Sequence, residues 1–252
     1  MVDRTGLILD IFALHAQSKE ANLQVELAMS VYLKPRLAGL GKTLNQQGGG
    51  IGTRGPGEAK LETDSRLIDN RINKLRKELK KIERQRLLQA SSREKKNTPL
   101  VSIVGYTNAG KSTLLKSLTN SDAYAADELF ATVDSLQREL PIKDIQEPVI
   151  LSDTVGFIQN LPTTLIESFK STLLVATSAD LLIHVVDAAT AIPEMHIGTV
   201  REILEQIEVT ANKVMVFNKV DRIDQASLNL SLIHISEPTR RYAISYAVFC
   251  LK

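Results

Sequence analysis

The spacing of apolar residues in the first part of the chain predicts one short strand and two helices. Leu7 to Phe12 is a largely apolar run typical of a buried strand, and residues 18–40 have the pattern of a helix that Pro35 kinks or interrupts. From Leu61 to about Ser92 the apolar positions form a short coiled-coil seam, spaced four and three apart. These positions are Ile68, Ile72, Leu75, Leu79 and Ile82. Because so short a seam is not stable alone, we expect the two helices to pair as an antiparallel hairpin.

The second part of the chain, after the helix-breaking residues 97–99, alternates short apolar runs with amphipathic stretches. The predicted strands are Leu100–Val104, Leu136–Ile142, Val149–Asp153, Leu181–Asp187 and Val214–Asn218. The predicted helices are Lys111–Thr119, Leu165–Val175 and Met195–Ile207. This alternation implies an α/β fold with a mostly parallel sheet covered on both faces. The strand at Leu7–Phe12 has no sheet of its own, so either it pairs with something outside this chain or it belongs to a truncated N-terminal module.

A glycine-rich segment separates the two predicted helices. Residues 48–57 hold six of the thirteen glycines of the chain, a composition that argues against regular structure. The segment is either a flexible linker or a loop at the tip of the hairpin that approaches a ligand or an RNA backbone closely, with Arg54 as its charged contact.

Length and composition allow one globular domain and a smaller module. The chain has 252 residues and 43% hydrophobic composition, enough to bury a full core. No apolar run approaches the roughly 20 residues that a membrane span needs, and the start does not resemble a signal peptide, so we expect a cytoplasmic location and no membrane insertion. Cys250 is the single cysteine, which excludes a disulfide framework and a cysteine metal site.

Charge is distributed unevenly along the chain. The formal net charge is only +2, but residues 71–96 carry eleven basic and three acidic side chains, a local net charge of +8. A basic helix beside a mildly acidic domain favours a polyanionic partner, most plausibly RNA. An ordinary solvated helix surface is the alternative.

Residues 105–112 read Gly-Tyr-Thr-Asn-Ala-Gly-Lys-Ser and fit the phosphate-loop pattern G-x-x-x-x-G-K-[ST]. Such a loop turns its N–H groups toward the β-phosphate, and the next helix adds its positive N-terminal end. Lys111 can then reach the β- and γ-phosphates, and Ser112 can hold Mg²⁺. A chance glycine-rich turn is the alternative. The nucleotide contacts expected here are Gly105, Tyr106, Thr107, Asn108, Ala109, Gly110, Lys111, Ser112 and Thr113.

A second motif selects the base. Asn218, Lys219, Val220 and Asp221 form an N-K-x-D sequence directly after an apolar strand, at the carboxyl edge of the predicted sheet. The Asp221 carboxylate can accept two hydrogen bonds from guanine, which adenine cannot donate. The expected nucleotide is therefore GTP.

A third motif has the form of a γ-phosphate sensor. Asp153, Thr154, Val155 and Gly156 end another predicted strand as D-x-x-G, so Asp153 is expected to hold Mg²⁺ through water and the Gly156 N–H to bond the γ-phosphate. Phe157 follows, where many GTPases place the glutamine that orients the attacking water. Hydrolysis must then depend on another side chain, a cation or a partner.

The polar segment between these motifs offers a further ligand for the metal. Phe130, Ala131, Thr132, Val133 and Asp134 could close over the nucleotide, with Thr132 as a second protein ligand of Mg²⁺, although a threonine in a loop is usually a turn residue. Asn108 could help hold a monovalent cation such as K⁺ near the β- and γ-phosphates. His15, His184 and His196 lack partners at metal-ligand spacing and are expected to be structural.

Taken together, these residues resemble the HflX family of GTPases over nearly all of residues 3–224. The matching motifs are Asp3–Phe12, Gly48–Gly52, Arg54–Glu58, Gly105–Ser112, Phe130–Thr132, Asp153–Ile158, His184–Ala188 and Asn218–Asp221. The resemblance implies a phosphate-loop GTPase domain that binds the large ribosomal subunit, splits stalled or idle ribosomes and sends its glycine-rich loop toward the peptidyl-transferase centre. It also supports Thr132 as a metal ligand. The groups expected to act in hydrolysis are then Lys111, Asn108, Thr132 and Gly156.

The chain departs from the family pattern at three places. The family usually has an α/β segment of about a hundred residues before the point at which this sequence starts, so we expect the strand at Leu7–Phe12 to be the remnant of an N-terminal α/β domain. Ser135–Arg138 stands where the family commonly has a Pro-Thr-Thr-Arg-like stretch. After Asp224 the family has another helix, a strand and a short Ser-Ala-type loop over the guanine, none of which is expected here. Residues 230–252 resemble the conceptual translation of a sequencing-library adapter, and a divergent native tail is the alternative. We therefore expect an N-terminal part over 1–96, an incomplete GTPase domain over 97–229, a non-native tail over 230–252, and a monomer. The alternative function is an RNA- or ribosome-binding module with impaired or no GTP turnover.

Overall fold

A computed structural model of the chain describes residues 3–45, 56–96, 98–119, 130, 136–142, 148–159, 169–223 and 244–248. The chain forms two compact units. The helical unit comprises Met1–Arg86 with Pro162–Phe169, and the nucleotide unit comprises Leu87–Leu161 with Lys170–Lys252.

The described residues of the helical unit form the helices α1 (Arg4–His15), α2 (Lys19–Asn45) and α3 (Pro56–Lys95), of which residues 56–86 belong to this unit. The strand predicted at Leu7–Phe12 is wrong, because these residues lie in α1. Asp3 caps the helix by accepting a hydrogen bond from the Gly6 N–H at 2.8 Å. Ile8, Leu9 and Phe12 are buried in α1. A short apolar run without clear periodicity is compatible with either a strand or a buried helix, so the run alone does not identify the element.

The two long helices are as expected, with one difference. Pro35 lies inside α2 and does not interrupt it. The predicted glycine-rich loop at 48–57 mostly lies outside the described residues, Arg54 included, and Pro56 and Gly57 are the first residues of α3. Proline is well suited to the first turn of a helix, since its missing N–H has no partner there in any case.

The predicted seam is confirmed as a packed interface between α2 and α3. Ile72, Leu75 and Leu79 are buried against Leu27 of α2, with Ile68 partly buried beside them. Ion pairs join Glu20 to Arg86 at 2.8 Å, Glu26 to Arg71, and Lys34 to Asp69. From Glu20 to Lys34 the position along α2 rises, while the position of the paired residue in α3 falls from Arg86 to Asp69. The two helices are therefore antiparallel, as the sequence predicts.

The nucleotide unit is built on one mixed sheet, and its elements match the predicted bounds closely. Its strands are β1 (Leu100–Gly105), β2 (Gln137–Leu140), β3 (Val149–Asp153), β4 (Leu181–Asp187), β5 (Asn212–Asn218) and β6 (Ile244–Val248), and its helices are α4 (Lys111–Thr119), α5 (Lys170–Thr177) and α6 (Pro193–Gln206). The strand order is β2-β3-β1-β4-β5-β6, and β2 alone is antiparallel to its neighbour. The predicted start of the middle helix at Leu165 lies outside the described residues.

Alternate residues of the central strands supply two buried layers. Val185 of β4 and Val216 of β5 pack with Leu114 and Leu115 of α4. Their chain neighbours, which point the other way, include Val186 and Met215 and pack with Ile197 of α6. The sheet therefore carries helices on both faces, as the alternation of elements predicts.

A sixth strand occupies the sheet edge beside β5, where no further strand was expected. The backbone of Ile244–Val248 pairs in parallel with residues 213–217. An uncovered sheet edge presents free N–H and C=O groups, and β-branched and aromatic residues alternate with smaller ones in this segment, which favours pairing there. The origin of residues 230–252 stays a prediction.

No helix within the described ranges combines the length and the apolar character required to span a bilayer.

Candidate nucleotide-binding site

Four of the five parallel strands bring the three predicted motifs together, because their carboxyl ends lie at the same edge of the sheet. The phosphate loop follows β1, the D-x-x-G motif begins at the last residue of β3, and the N-K-x-D motif begins at the last residue of β5. Asp187 ends β4 between them. Ligands of open α/β sheets bind at this carboxyl edge.

The phosphate loop approaches its neighbours so closely that its two fixed glycines are required. A Cβ on Gly105 would lie 2.4 Å from the carbonyl oxygen of Val185, and one on Gly110 would lie 2.1 Å from Nδ2 of Asn218. Gly110 also has φ = +92°, in the left-handed region. Asn108 adopts φ = +60° at an exposed position, a conformation that asparagine tolerates better than most residues.

Lys111 is buried at the base of this loop, at the first position of α4. Its side chain is 6% exposed, and Nζ donates a hydrogen bond to the carbonyl oxygen of Tyr106 at 3.0 Å. Burial lowers the pKa of the Lys111 ammonium, while the nearby Asp153 carboxylate acts in the opposite direction. A buried cation of this kind favours an anionic ligand.

Ser112 and Asp153 meet beside Lys111 and form a pair of hard oxygen groups. Ser112 Oγ donates to Asp153 Oδ2 at 2.7 Å, and Asp153 is 0% exposed. The other carboxylate oxygen accepts the Thr154 N–H at 2.9 Å, and Thr154 Oγ1 donates to the Ile103 carbonyl at 2.8 Å, which fixes the carboxylate. This donor set fits Mg²⁺.

The N-K-x-D motif is attached directly to the phosphate loop. Asn218 Nδ2 donates to the Ala109 carbonyl at 3.0 Å, and Lys219 Nζ donates to the Asn108 carbonyl at 2.8 Å. Lys219 has φ = +60° and also pairs with Asp187 Oδ2 at 2.8 Å. Asp221 follows in a short 3₁₀ helix, Val220–Arg222, and is exposed.

The segment that ends the D-x-x-G motif lies against the phosphate loop. The Phe157 N–H donates to the Gly105 carbonyl at 3.1 Å, and the Thr107 N–H donates to the Phe157 carbonyl at 2.7 Å. A Cβ on Gly156 would lie 2.9 Å from Thr107 Cα and 3.0 Å from Lys111 Nζ, so only glycine fits. The Phe157 side chain is 2% exposed and Val155 is buried.

The other predicted site residues are placed in part. Phe130 is buried with φ = +58°, and its N–H donates to Thr107 Oγ1 at 3.0 Å, which ties its segment to the phosphate loop. Ala131, Thr132, Val133 and Asp134 lie outside the described residues. Thr113 is exposed on α4.

Two contacts at this edge of the sheet are not predicted from the sequence. The rings of Tyr106 and His196 stack with centroids 3.8 Å apart and planes 5° apart, and Asp187 binds Lys219. Burial lowers the pKa of His196, and the Asp187 carboxylate opposes this shift. The sequence indicates the position of Asp187 only because this residue ends a predicted strand. No local pattern marks His196 as a neighbour of the phosphate loop.

Comparison with family models places both parts of the chain. Residues 15–93 match the model of the GTP-binding GTPase middle region, and residues 100–219 match the model of the 50S ribosome-binding GTPase.

Relatives and solved structures agree with these matches. The chain is 52% identical to the GTPase HflX of Caldanaerobacter subterraneus subsp. tengcongensis over 89% of its own length, and 46% identical to the GTPase HflX of Escherichia coli over 95%. It spans about half of these relatives, 52% and 56% of their lengths. A GTP-binding protein from the archaeon Sulfolobus solfataricus, solved with GDP, is 30% identical, with a TM-score of 0.56 over 98% of this chain and 66% of that one.

Proposed function

This chain belongs to the HflX family of GTPases, and on that premise we propose that it binds GTP with Mg²⁺ and hydrolyses it to GDP in association with the large ribosomal subunit, in ribosome splitting or rescue. The observation that carries the proposal is the meeting of three motifs on one loop. Ser112 Oγ and Asp153 Oδ2 lie 2.7 Å apart beside the buried Lys111. Asn218 and Lys219 donate hydrogen bonds to carbonyls of the same loop.

The metal would be held by Ser112 and Asp153, with Thr132 as a further ligand. When bound, Mg²⁺ neutralises charge on the β- and γ-phosphate oxygens. The fixed orientation of the Asp153 carboxylate, through the Thr154 N–H, keeps its second oxygen toward Ser112. Orientation of a ligand by neighbouring hydrogen bonds is typical of metal sites in proteins.

Lys111 supplies the positive charge for the phosphates. Its ammonium is buried and donates a hydrogen bond to a neutral group, the carbonyl of Tyr106, at 3.0 Å. A buried charge is costly unless it is paired, so an incoming polyphosphate offers this ammonium a stronger partner than a neutral carbonyl. Binding energy therefore concentrates where charge develops during hydrolysis.

Guanine recognition would fall to Asp221, with Asn218 and Lys219 as its support. Lys219 binds the Asn108 carbonyl and Asp187, so the loop that follows β5 is fixed to the phosphate loop. Asp221 is exposed two residues later, where its carboxylate can receive the N–H groups of guanine.

Phe157 leaves the attacking water without a side-chain partner at that position, because a phenyl ring forms no ordinary hydrogen bond. We propose that a K⁺ ion near Asn108 compensates for this. Asn108 is exposed at the bend of the loop and its carbonyl is turned toward Lys219, which leaves its side-chain amide oxygen as the candidate ligand. Equal GTPase rates in K⁺ and Na⁺ buffers would contradict this part of the proposal.

The ribosome is proposed as partner from charge and from family. The face of α3 that points away from α2 carries exposed Lys74, Arg76, Lys77, Lys80, Lys81 and Arg84. Such a cationic stripe favours the phosphate backbone of RNA. The glycine-rich segment between α2 and α3 would extend this contact.

GTP hydrolysis measured with and without purified large ribosomal subunits tests the proposal. We expect measurable hydrolysis that the subunits accelerate. Subunit binding without hydrolysis would instead support the second candidate, a binding module that has lost turnover, which the buried and backbone-tethered Phe157 favours. No binding and no stimulation by subunits would contradict the ribosomal role.

A further inference from the structure

Tyr106 contacts the segment after the D-x-x-G motif with both its backbone and its side chain. Its backbone lies in the short parallel bridge with Phe157, flanked by the hydrogen bonds of Gly105 and Thr107 to that residue. Its hydroxyl accepts the Gln159 N–H at 3.2 Å. One residue of the phosphate loop thus contacts the chain at two positions, one and three residues beyond Gly156.

His196 fixes the ring of Tyr106 from the other side. It lies in the first turn of α6, and its imidazole stacks nearly parallel to the phenol at a centroid distance of 3.8 Å. Burial lowers the pKa of His196, which favours the neutral imidazole, and a neutral ring stacks without the cost of a desolvated charge. A phenol held on one face cannot swing its hydroxyl away from Gln159 without breaking the stack.

The same tyrosine also touches the group that acts on the phosphates. Its carbonyl accepts the hydrogen bond from Lys111 Nζ, and Gly156 packs against Lys111 and Thr107. A displacement of Tyr106 would therefore affect Lys111, the neighbouring γ-phosphate sensor and the residues that follow the sensor.

We propose that Tyr106 is a positioning residue for GTP hydrolysis, which holds Phe157–Gln159 in register with the phosphate loop through its hydroxyl and is itself held by the stack on His196. This inference rests on the proposed function. Because Phe157 cannot orient water, hydrolysis depends more strongly on the exact placement of Gly156 and its neighbours. Backbone restraints such as the contacts of Tyr106 set that placement. A small displacement of catalytic groups is enough to slow a reaction severalfold or more.

Two measurements on the whole chain test the inference. Tyr106→Phe removes only the hydroxyl, and we expect faster amide exchange at Gln159 and a kcat about tenfold lower, the effect of one lost hydrogen bond, with KM unchanged. His196→Ala should act in the same way, and the double variant should be no slower than the slower single variant, since both changes release one restraint. His196→Phe keeps the stack and should restore both readouts.

The controls separate this inference from the proposed function. Tyr32→Phe, which removes a hydroxyl from α2 of the helical unit, should leave basal hydrolysis unchanged. Unchanged exchange at Gln159 in Tyr106→Phe, a wild-type kcat, or additive effects of the two single variants would overturn the role of Tyr106. A wild-type chain that protects the Gln159 amide but hydrolyses no GTP, alone or with subunits, would overturn the proposed function and with it the catalytic consequence, while the restraint itself would stand.

Discussion

The helical unit and the nucleotide unit hold their charged groups in opposite ways. In the helical unit Lys34 and Asp69 pair with side chains 43% and 44% exposed, and pairs of this kind contribute about 0 to 1 kcal/mol. In the nucleotide unit Asp153 is fully buried and Lys111 is 6% exposed. Charges are expensive to bury, so those retained inside the second unit point to chemistry, whereas those on the first lie at the surface, where they can attract a distant partner.

The largest effect is expected from removing the buried cation. Lys111→Ala should lower GTP hydrolysis by about a hundredfold or more, because electrostatic stabilisation of the transition state is lost. Its free energy of unfolding without nucleotide should not fall, since burial already disfavours the ammonium and lowers its pKa. Lys116→Ala, on the exposed side of the same helix, is the matched control for turnover. A strongly destabilised Lys111→Ala protein would break the contrast between the units.

A charge that is exposed but belongs to the site sharpens the comparison. Asp221→Asn should weaken GTP binding by about a hundredfold, because two charge-assisted hydrogen bonds to guanine are lost, and should improve binding of xanthosine triphosphate, whose ring offers an acceptor to the new amide. Fluorescent nucleotide titration measures both affinities. Arg222→Gln alters the next residue and serves as the control. Unchanged preference for GTP would remove Asp221 from base recognition.

His184 is a buried titratable group with no role in the proposed reaction, so it tests how much stability is lost when a buried side chain must take up a charge. Burial, with Arg201, Lys213 and Lys111 nearby, lowers the pKa of His184 to about 3, against about 6.5 in an unfolded chain. The unfolded state therefore binds more protons below pH 6.5, and stability is lost as pH falls from there toward 3.

Between pH 7 and pH 5 the His184 contribution to the free energy of unfolding should fall by about 2 kcal/mol. Urea denaturation at both pH values, compared with His184→Gln, isolates this part from that of the carboxylates. Equal pH dependence of the two proteins would mean that the pKa of His184 is not lowered in the folded state.

The sequence predicted those parts of the site that depend on local order and missed those that depend on sheet order. Gly105 and Asn218 end strands whose bounds follow from short apolar runs, and Lys111 begins the helix after the first of these strands, so their convergence could be expected. The stack of Tyr106 on His196 arises because β4 and α6 follow one another beside β1, a long-range arrangement that no local pattern encodes.

The N-terminal helix shows a different reason for failure. The apolar run at Leu7–Phe12 is compatible with either element, and the decisive signal was the capping side chain of Asp3, whose carboxylate accepts the Gly6 N–H. The edge strand at Ile244–Val248 was missed because its partner is the open edge of β5 and not a sequence neighbour.

The smallest effect is expected on the exposed surface of the helical unit. Replacing Lys77, Lys80 and Lys81 with glutamate should weaken binding to large ribosomal subunits by about tenfold and lower the dependence of log affinity on log salt by about two to three, because fewer counterions are released from the RNA. The three side chains are exposed on α3, so the hairpin should remain folded. Replacing the same three lysines with arginine keeps the charge and should bind like the wild type. If binding of the glutamate variant equals that of the wild type at every salt concentration, the charges of the helical unit do not serve a polyanion, and the contrast between solvent-facing and buried charge loses its functional meaning.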